Sequence, residues 1–384
     1  MWNRLLRRRN NWKNLKPMPR IIISGGGTGG HVFPAIAIAD ALREFSPGAN
    51  ILFVGANGKI EMKKVPAAGY NIKGITIAGF QRGQILKNLL LPFKLLAGMF
   101  AAWRIVATFR PDIAVGVGGY ASGPVLKICS FMGIPYVLQE QNSFAGVTNR
   151  MLAGGAAMIC VAYDGMERYF PSAKIMFTGN PVRKGLVSSK YSKEEALARF
   201  DLKPAKNTVL IFGGSLGAKS INEAVVSAQD ALTEMTDTNV IWQTGPGHYE
   251  GLKASEVSKL RNVRVMPFIE DMDAAYAAAD VVVCRAGALT ISELALLQKA
   301  CILVPSPYVA EDHQTNNAKA LTSRNAAVLV DDKKLATEFI PALTSLLNDE
   351  TKRRVLAENI AHFARPDAAT RIAGEILSIL KTTP

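Results

Sequence analysis

The most constraining feature is a unit that occurs twice. IIISGGGTGGHVFPAIAIADAL, Ile21 to Leu42, runs from an apolar stretch through five glycines in six residues into alanine-rich helical periodicity. VLIFGGSLGAKSINEAVVSA, Val209 to Ala228, replays strand, glycine loop and helix. Each copy opens a βαβ unit, in which a parallel strand returns through a crossover helix. The alternation continues after the first copy in NILFVG, PDIAVGVGG, IPYVLQE, AAMICVA and KIMFTG, and after the second in NVIWQTG, NVRVMPF, DVVVCRAG, ACILVPS and AAVLV. Short apolar runs between helical patterns predict a parallel sheet covered on both faces. A chain of 384 residues also exceeds the span of one hydrophobic core, usually about 250 to 300 residues. The fold class expected is therefore α/β, with two Rossmann-like doubly wound domains. The hinge is expected in TGNPVRKG, Thr178 to Gly185, where Gly and Pro interrupt the pattern. A last helical segment, from about Asp367 to Leu380, has no strand after it, and the sequence leaves its packing open.

With 49% hydrophobic and 20% charged residues the composition is that of a soluble globular protein and excludes disorder as the theme. The net charge of +14 is concentrated: MWNRLLRRRNNWKNLKPMPR holds seven basic residues and no acid. That block is too short of apolar residues for a signal peptide and too poor in serine for a transit peptide. It reads as a solvated basic tail or as a segment drawn to anionic lipid, and no nucleic-acid partner is expected. Met18, just before the first strand, is an alternative translation start, which mass spectrometry of the native N-terminus decides. Cys129, Cys160, Cys284 and Cys301 lack metal-ligand spacing and lie in apolar runs, as buried thiols do. QILKNLLLPFKLLAGMFAAWRIVATFR, Gln84 to Arg110, is interrupted by Lys87, Pro92, Lys94 and Arg104 and is not expected to span a membrane. It is either a crossover helix buried on the sheet or a basic-rimmed patch of Leu89, Leu90, Leu91, Phe93, Leu96 and Trp103 lying in a membrane interface.

Gly25, Gly27 and Gly30 satisfy G-x-G-x-x-G between strand and helix, a weak signal alone. A dinucleotide site needs an acid at the end of the second strand, where Gly55 to Gly58 offer none, and a phosphate loop needs Lys where this chain has His31. What remains is a helix N-terminus whose amides suit an anion or a sugar oxygen. His31, near the positive end of that helix, should stay neutral at pH 7 and serve as a proton acceptor; the plain alternative is a capping or packing histidine. In the second half Gly287 makes the turn and Ala288, Leu289 and Thr290 open a helix. Thr290 and Glu293 fit a capping box, but a carboxylate one turn into a helix also suits ribose hydroxyls. Ser215 is a second phosphate donor. Asp271 and Asp273 read as acids in the first turn of a helix rather than a metal-binding pair. Asp312, His313 and Gln314 follow strand ACILVPS at the edge where α/β ligands bind.

Taken together, GGTGGHVFPA, GGYASGP, QEQNSFAGVTN, GNPVR, GGSLGA, CRAGALTISE and DHQTNNA, in this order, resemble the MurG family of UDP-N-acetylglucosamine transferases over nearly the whole chain from Arg20. The resemblance implies the glycosyltransferase B fold, two Rossmann-like domains facing across a cleft. The expected organisation is a basic extension at 1–19, an acceptor and membrane-associated domain at 20–182, a UDP-sugar domain at 183–364 and a helix at 365–384 packing back on the first domain. It implies that Ile269 meets uracil through its backbone with Arg183 beside the nucleotide. Ser215 and the helix opened by Ala288, Leu289, Thr290, Ile291 and Ser292 hold the diphosphate, Glu293 the ribose, and Gln314 the sugar hydroxyls. Thr28, Gly29, Gly30 and Asn142 reach the transferred sugar or the acceptor, and Gly118, Gly119, Tyr120 and Ser122 the acceptor's diphosphate. Leu216 and Ala286 stand where the family commonly has Gln and Ser; neither change removes a backbone donor.

The activity so implied is inverting transfer of GlcNAc from UDP-GlcNAc to the 4-hydroxyl of undecaprenyl-pyrophosphoryl-MurNAc-pentapeptide, lipid I to lipid II, in peptidoglycan synthesis. His31 is the expected base and Glu140 the second candidate, with no cofactor and no metal. A peripheral place on the anionic cytoplasmic face of the cell membrane is expected, with cell-wall synthesis proteins as partners. Rival readings are a UDP-GlcNAc 2-epimerase-like isomerase and a non-catalytic nucleotide-sugar-binding protein, with an NAD oxidoreductase the weakest.

Overall fold

Ile21, Ile22 and Ile23 are all fully buried, yet they serve two different cores. Successive side chains of a strand point to opposite faces, so a run of three isoleucines requires cover on both. Ile21 and Ile23 pack with Val32, Ile38 and Leu42 of the helix Gly29–Phe45, whereas Ile22 packs with Ala102 and Val106 of the helix Leu91–Phe109 and with Val125 and Leu126 of the helix Ser122–Phe131. The computed structural model describes residues 18–77, 91–182, 191–309 and 312–382. The chain divides into two units, Met1–Arg183 with Arg365–Pro384, and Lys184–Ala364.

In the first unit β1 (Arg20–Ser24), β2 (Asn50–Ala56), β3 (Asn71–Ile75), β4 (Ile113–Gly116), β5 (Tyr136–Glu140), β6 (Met158–Val161) and β7 (Ile175–Phe177) form one parallel sheet in the order β3-β2-β1-β4-β5-β6-β7. The order reverses between β1 and β4, paired from Ile21 with Ile113 to Ser24 with Gly116. Ligands of open α/β sheets bind beyond the strand C-termini at such a point, and the loops that follow β1 and β4 are the glycine stretches at 25–28 and 117–121. β3 is an edge strand that the alternation did not reveal.

The terminal helix Ala368–Thr382 belongs to this unit and packs along the helix Gly29–Phe45, burying Ile372, Ile376 and Leu377 in the core that holds Ile21. Full burial of each such side chain is worth about 1.5 to 3 kcal/mol relative to exposure.

The second unit repeats the plan. β8 (Asn207–Phe212), β9 (Thr238–Gln243), β10 (Val263–Met266), β11 (Val281–Cys284), β12 (Ala300–Leu303) and β13 (Val328–Leu329) run parallel in the order β10-β9-β8-β11-β12-β13. The reversal falls between β8 and β11, so the loops at 213–218 and 285–287 share one end of the sheet. Trp242 is wholly buried because Asn222 accepts its indole N–H at 3.1 Å, while the Asn222 amide donates to Thr244 O at 2.9 Å.

One local expectation changes. The helix after β11 runs Ala288–Leu296 with Gly287 as its N-cap and no side-chain cap, so Thr290 and Glu293 do not form a capping box. Asp271 caps the helix Met272–Ala278 by accepting from Ala274 N at 3.1 Å, with Asp273 in the first turn, as the sequence suggested. The segments 1–17, 78–90 and 183–190, which include most of the basic extension, Leu89, Leu90 and Arg183, lie outside the described residues.

Candidate active site

In the first unit the glycine loop is occupied from within. Glu61, buried in the first turn of the helix Glu61–Ala67, accepts from Gly27 N at 2.8 Å through Oε2 and from Ala56 N at 2.9 Å through Oε1. A Cβ at Gly26 would overlap this carboxylate, and one at Gly55 would overlap its stem. These glycines therefore clear room for an internal acid, and the Gly27 amide already has its anion. The open donors lie one step further on: Gly29 and Gly30 begin a helix whose first amides have no intrahelical acceptor, behind Thr28 as a cap with no side-chain bond.

The loop after β4 interlocks with this one. Gly118 and Gly119 adopt φ of 87° and 82°, which favour glycine. A Cβ on Gly119 would overlap the Gly26 carbonyl, and one on Gly118 would come within 2.9 Å of the His31 ring. Tyr120 is exposed, whereas Ser122 is fully buried and its hydroxyl has no hydrogen-bond partner. A ligand would reach this loop at residues 118–120 and not through the Ser122 hydroxyl.

His31 lies in the first turn of its helix, half-buried, with Nδ1 3.0 Å from Oε1 of Gln141. Glu140, beside it in sequence, is buried and bound from four sides: Asn142 N at 3.1 Å, Asn142 Nδ2 at 3.3 Å, Gly146 N at 3.0 Å and Asn149 Nδ2 at 2.8 Å. Its carboxylate folds the 140–149 loop and fixes Asn142.

In the second unit the loop Gly213–Ala218 holds Ser215 and Leu216 out to solvent. Gln243 ties this loop to the β10 edge, donating to Gly214 O at 2.7 Å and accepting from Ile269 N at 3.0 Å. With the Ile269 amide so engaged, its carbonyl is the backbone group left for a base. Ala288, Leu289 and Thr290 contribute the first amides of their helix, and the first intrahelical bond is Ile291 N to Gly287 O at 3.0 Å. Ile291 is buried in the core, and the Ser292 hydroxyl donates back to Ala288 O at 2.9 Å. Glu293 accepts from the buried Tyr276 hydroxyl at 2.9 Å. Gln314 accepts from Ser306 N at 2.9 Å through Oε1, which directs its Nε2 to other acceptors.

Arg285, the cation nearest this turn in sequence, is turned inward. It donates to Val304 O, Pro305 O, Asp332 and Ser220 Oγ, and so braces the turn instead of offering charge to a ligand. Asn317 of DHQTNNA, fully buried, donates to Ala286 O at 3.4 Å.

Residue-by-residue reading missed Glu61, Gln141, Gln243, Tyr276 and Arg285, all polar groups that hold the loops. Among the described residues no group of three or more His, Cys, Asp or Glu is placed to hold a metal ion. The four cysteines are buried and unbridged; desolvation pushes the thiols of Cys129, Cys160 and Cys301 up to about 12 and that of Cys284 well above its ordinary value, so they are inert near neutrality.

Comparison with known proteins gives the arrangement its relatives. Residues 21–161 match the model of the glycosyltransferase family 28 N-terminal domain, and residues 208–372 that of the family 28 C-terminal domain. The UDP-N-acetylglucosamine--N-acetylmuramyl-(pentapeptide) pyrophosphoryl-undecaprenol N-acetylglucosamine transferase of Bacteroides fragilis is 50% identical over 378 residues, covering 97% of this chain and 99% of that one. The crystal structure of Acinetobacter baumannii MurG matches with a TM-score of 0.74 and 31% identity, over 94% of this chain and 99% of that one. The UDP-GlcNAc 2-epimerase of Neisseria meningitidis, bound to UDP-GlcNAc, shares the fold alone, with a TM-score of 0.66 at 12% identity over 94% of this chain and 100% of that one. Two parallel-sheet α/β units of the glycosyltransferase B type, with half of the residues identical to a transferase along nearly the entire sequence, establish that the chain belongs to the MurG family within glycosyltransferase family 28.

Proposed function

We propose that this protein transfers GlcNAc from UDP-GlcNAc to the 4-hydroxyl of undecaprenyl-pyrophosphoryl-MurNAc-pentapeptide, converting lipid I to lipid II with inversion at the anomeric carbon. The near full-length 50% identity to the Bacteroides fragilis transferase carries this reading. The geometry supports the following assignment of roles. In the second unit the amides of Ala288, Leu289 and Thr290, with Ser215, take the donor diphosphate; Glu293 takes the ribose; the Ile269 carbonyl accepts from uracil; Gln314 Nε2 meets the sugar. In the first unit residues 118–120 take the acceptor diphosphate, and Thr28, Gly29, Gly30 and Asn142 the sugars.

The step is one displacement. The acceptor oxygen forms a bond to C1 of GlcNAc as the bond from C1 to the diphosphate oxygen breaks, its electron pair leaving with UDP. The acceptor's proton passes to Nε2 of His31. Helix-terminal amides are oriented before the reaction, so they stabilise the charge growing on UDP with little reorganisation. Glu140 is assigned to folding the loop that carries Asn142, because its oxygens already accept four hydrogen bonds.

Attachment to an anionic membrane surface at the cytoplasmic face is part of the proposal. Among the described residues no helix is long and apolar enough to cross a membrane. The helix Leu91–Phe109 buries Ala102 and Val106 yet leaves Leu96 67%, Phe100 64% and Trp103 47% exposed. It packs beside Ser122–Phe131, whose Phe131 is 70% exposed under the Lys127 ammonium. Large exposed apolar side chains with basic neighbours suit an interface of acyl chains and anionic headgroups.

The test is UDP release from UDP-GlcNAc with a short-chain lipid I analogue against an acceptor-free control. Release that requires acceptor and persists in chelator is expected. Conversion of UDP-GlcNAc without acceptor would indicate an isomerase, and binding without release in either arm a non-catalytic protein.

A further inference from the structure

Gln141, to which the sequence alone assigns no role, ends a chain of side-chain amides whose polarity is fixed from both ends. Asn180, Gln139 and Gln141 are all at least nine-tenths buried. Asn180 Nδ2 lies 3.0 Å from the backbone carbonyl of Gln141, and a carbonyl only accepts, so that end of Asn180 is its NH₂. Its Oδ1 therefore faces Gln139 and accepts from Gln139 Nε2 at 3.1 Å. Gln139 is thereby oriented with its Oε1 toward Gln141, whose Nε2 donates to it. A second carbonyl gives the same answer independently: Gln141 Nε2 lies 2.8 Å from Val117 O. With its NH₂ facing Val117 O, Gln139 Oε1 and, at 3.3 Å, Gln139 O, Gln141 presents Oε1 to His31, 3.0 Å from Nδ1. An amide oxygen has no proton to give, so Nδ1 must supply one.

We infer that Gln141 is a positioning residue that locks neutral His31 in its Nδ1–H tautomer and so makes Nε2 the proton-accepting atom. The inference rests on the reading of His31 as the base. Free imidazole in water favours the opposite tautomer, with the proton on Nε2, so an unheld histidine would spend most of its neutral population unable to accept there. When the acceptor hydroxyl's proton arrives on Nε2, Nδ1 keeps its own, and Gln141 stays a neutral acceptor throughout. A neutral partner orients the ring without the added charge that a carboxylate would bring to the imidazolium. Gly118 completes the arrangement, since its lack of a side chain leaves space for the ring that Gln141 aligns.

The experiment is ¹⁵N NMR of the full chain labelled at histidine, recorded above the His31 titration. With only four histidines in the sequence, the His31 signals are assigned by their loss in His31→Gln. The expected result is a protonated Nδ1 and a bare Nε2 in the wild type, shifting toward Nε2–H in Gln141→Met, with kcat lowered about tenfold or more and KM for UDP-GlcNAc little changed. An Nε2–H tautomer in the wild type overturns the inference, and needs no variant to fold. Persistence of Nδ1–H in folded Gln141→Met overturns Gln141 as its cause. Near-normal turnover of His31→Gln would instead remove the base reading while leaving the tautomer measurement intact.

Discussion

The phenol of Tyr276 donates to Oε2 of Glu293 at 2.9 Å, linking the helix Met272–Ala278 to the helix whose first amides are assigned to the diphosphate. Tyr276 is itself held edge-on to Phe212 at the end of β8, ring centroids 6.2 Å apart. The carboxylate is thus aimed by the core. Tyr276→Phe should weaken UDP-GlcNAc binding about three- to tenfold, the scale of one net hydrogen bond, with kcat little altered. Calorimetric titration checks this; unchanged affinity would detach Tyr276 from the donor site.

Glu61 joins two strand ends through the amides of Gly27 and Ala56. Its removal leaves two inward-facing donors without an acceptor, each costing about 1 to 3 kcal/mol. Glu61→Ala should lower unfolding free energy by roughly 2 to 4 kcal/mol in urea titrations, with Glu61→Gln, which keeps one acceptor, in between. Equal stability of all three proteins would show that the loop closes without it.

His31→Ala should reduce turnover by about 10² to 10⁴ if the ring accepts the proton. It should also remove the acidic limb of the pH–rate profile. A smaller loss with the limb intact would make the ring a positioning group.

The exposed apolar face of Leu91–Phe109 makes a separable claim. Serine at Leu96, Phe100 and Trp103 together should abolish most cosedimentation with vesicles rich in anionic lipid, while turnover of a soluble short-chain acceptor stays near wild type. Undiminished binding would move attachment to another part of the chain.

Ile376 of the terminal helix is fully buried in the core that also holds Ile21 and the helix Gly29–Phe45. Ile376→Ala should cost about 2 to 5 kcal/mol, the range for truncating a core aliphatic side chain. A shift of the urea midpoint measures it.

Most strands were legible because burial on both faces writes them as unbroken β-branched runs, RIIIS and DVVVC among them. β3 was not, because NIKGI lies at a sheet edge with only Ile75 fully buried and so carries a polar, glycine-containing sequence. In the site, motif order pointed to the glycine turns, His31 and Glu293. The groups that orient them escaped notice because their partners are distant in sequence: Glu61 reaches back 34 residues to Gly27, and Gln141 reaches 110 residues to His31. The Thr290–Glu293 spacing misled for the complementary reason. A local pattern suggested a cap, while the carboxylate was satisfied by Tyr276, 17 residues upstream.

The terminal helix has a consequence for biosynthesis. A nascent chain emerges from the ribosome in order, yet the core around Ile21 is finished only by residues beyond Arg365. At about 5 to 20 residues per second, the intervening stretch delays that closure by roughly 10 to 40 seconds. Throughout that interval the apolar face of Gly29–Phe45 lacks its final cover, so the first unit completes its core only after the whole of the second has been made.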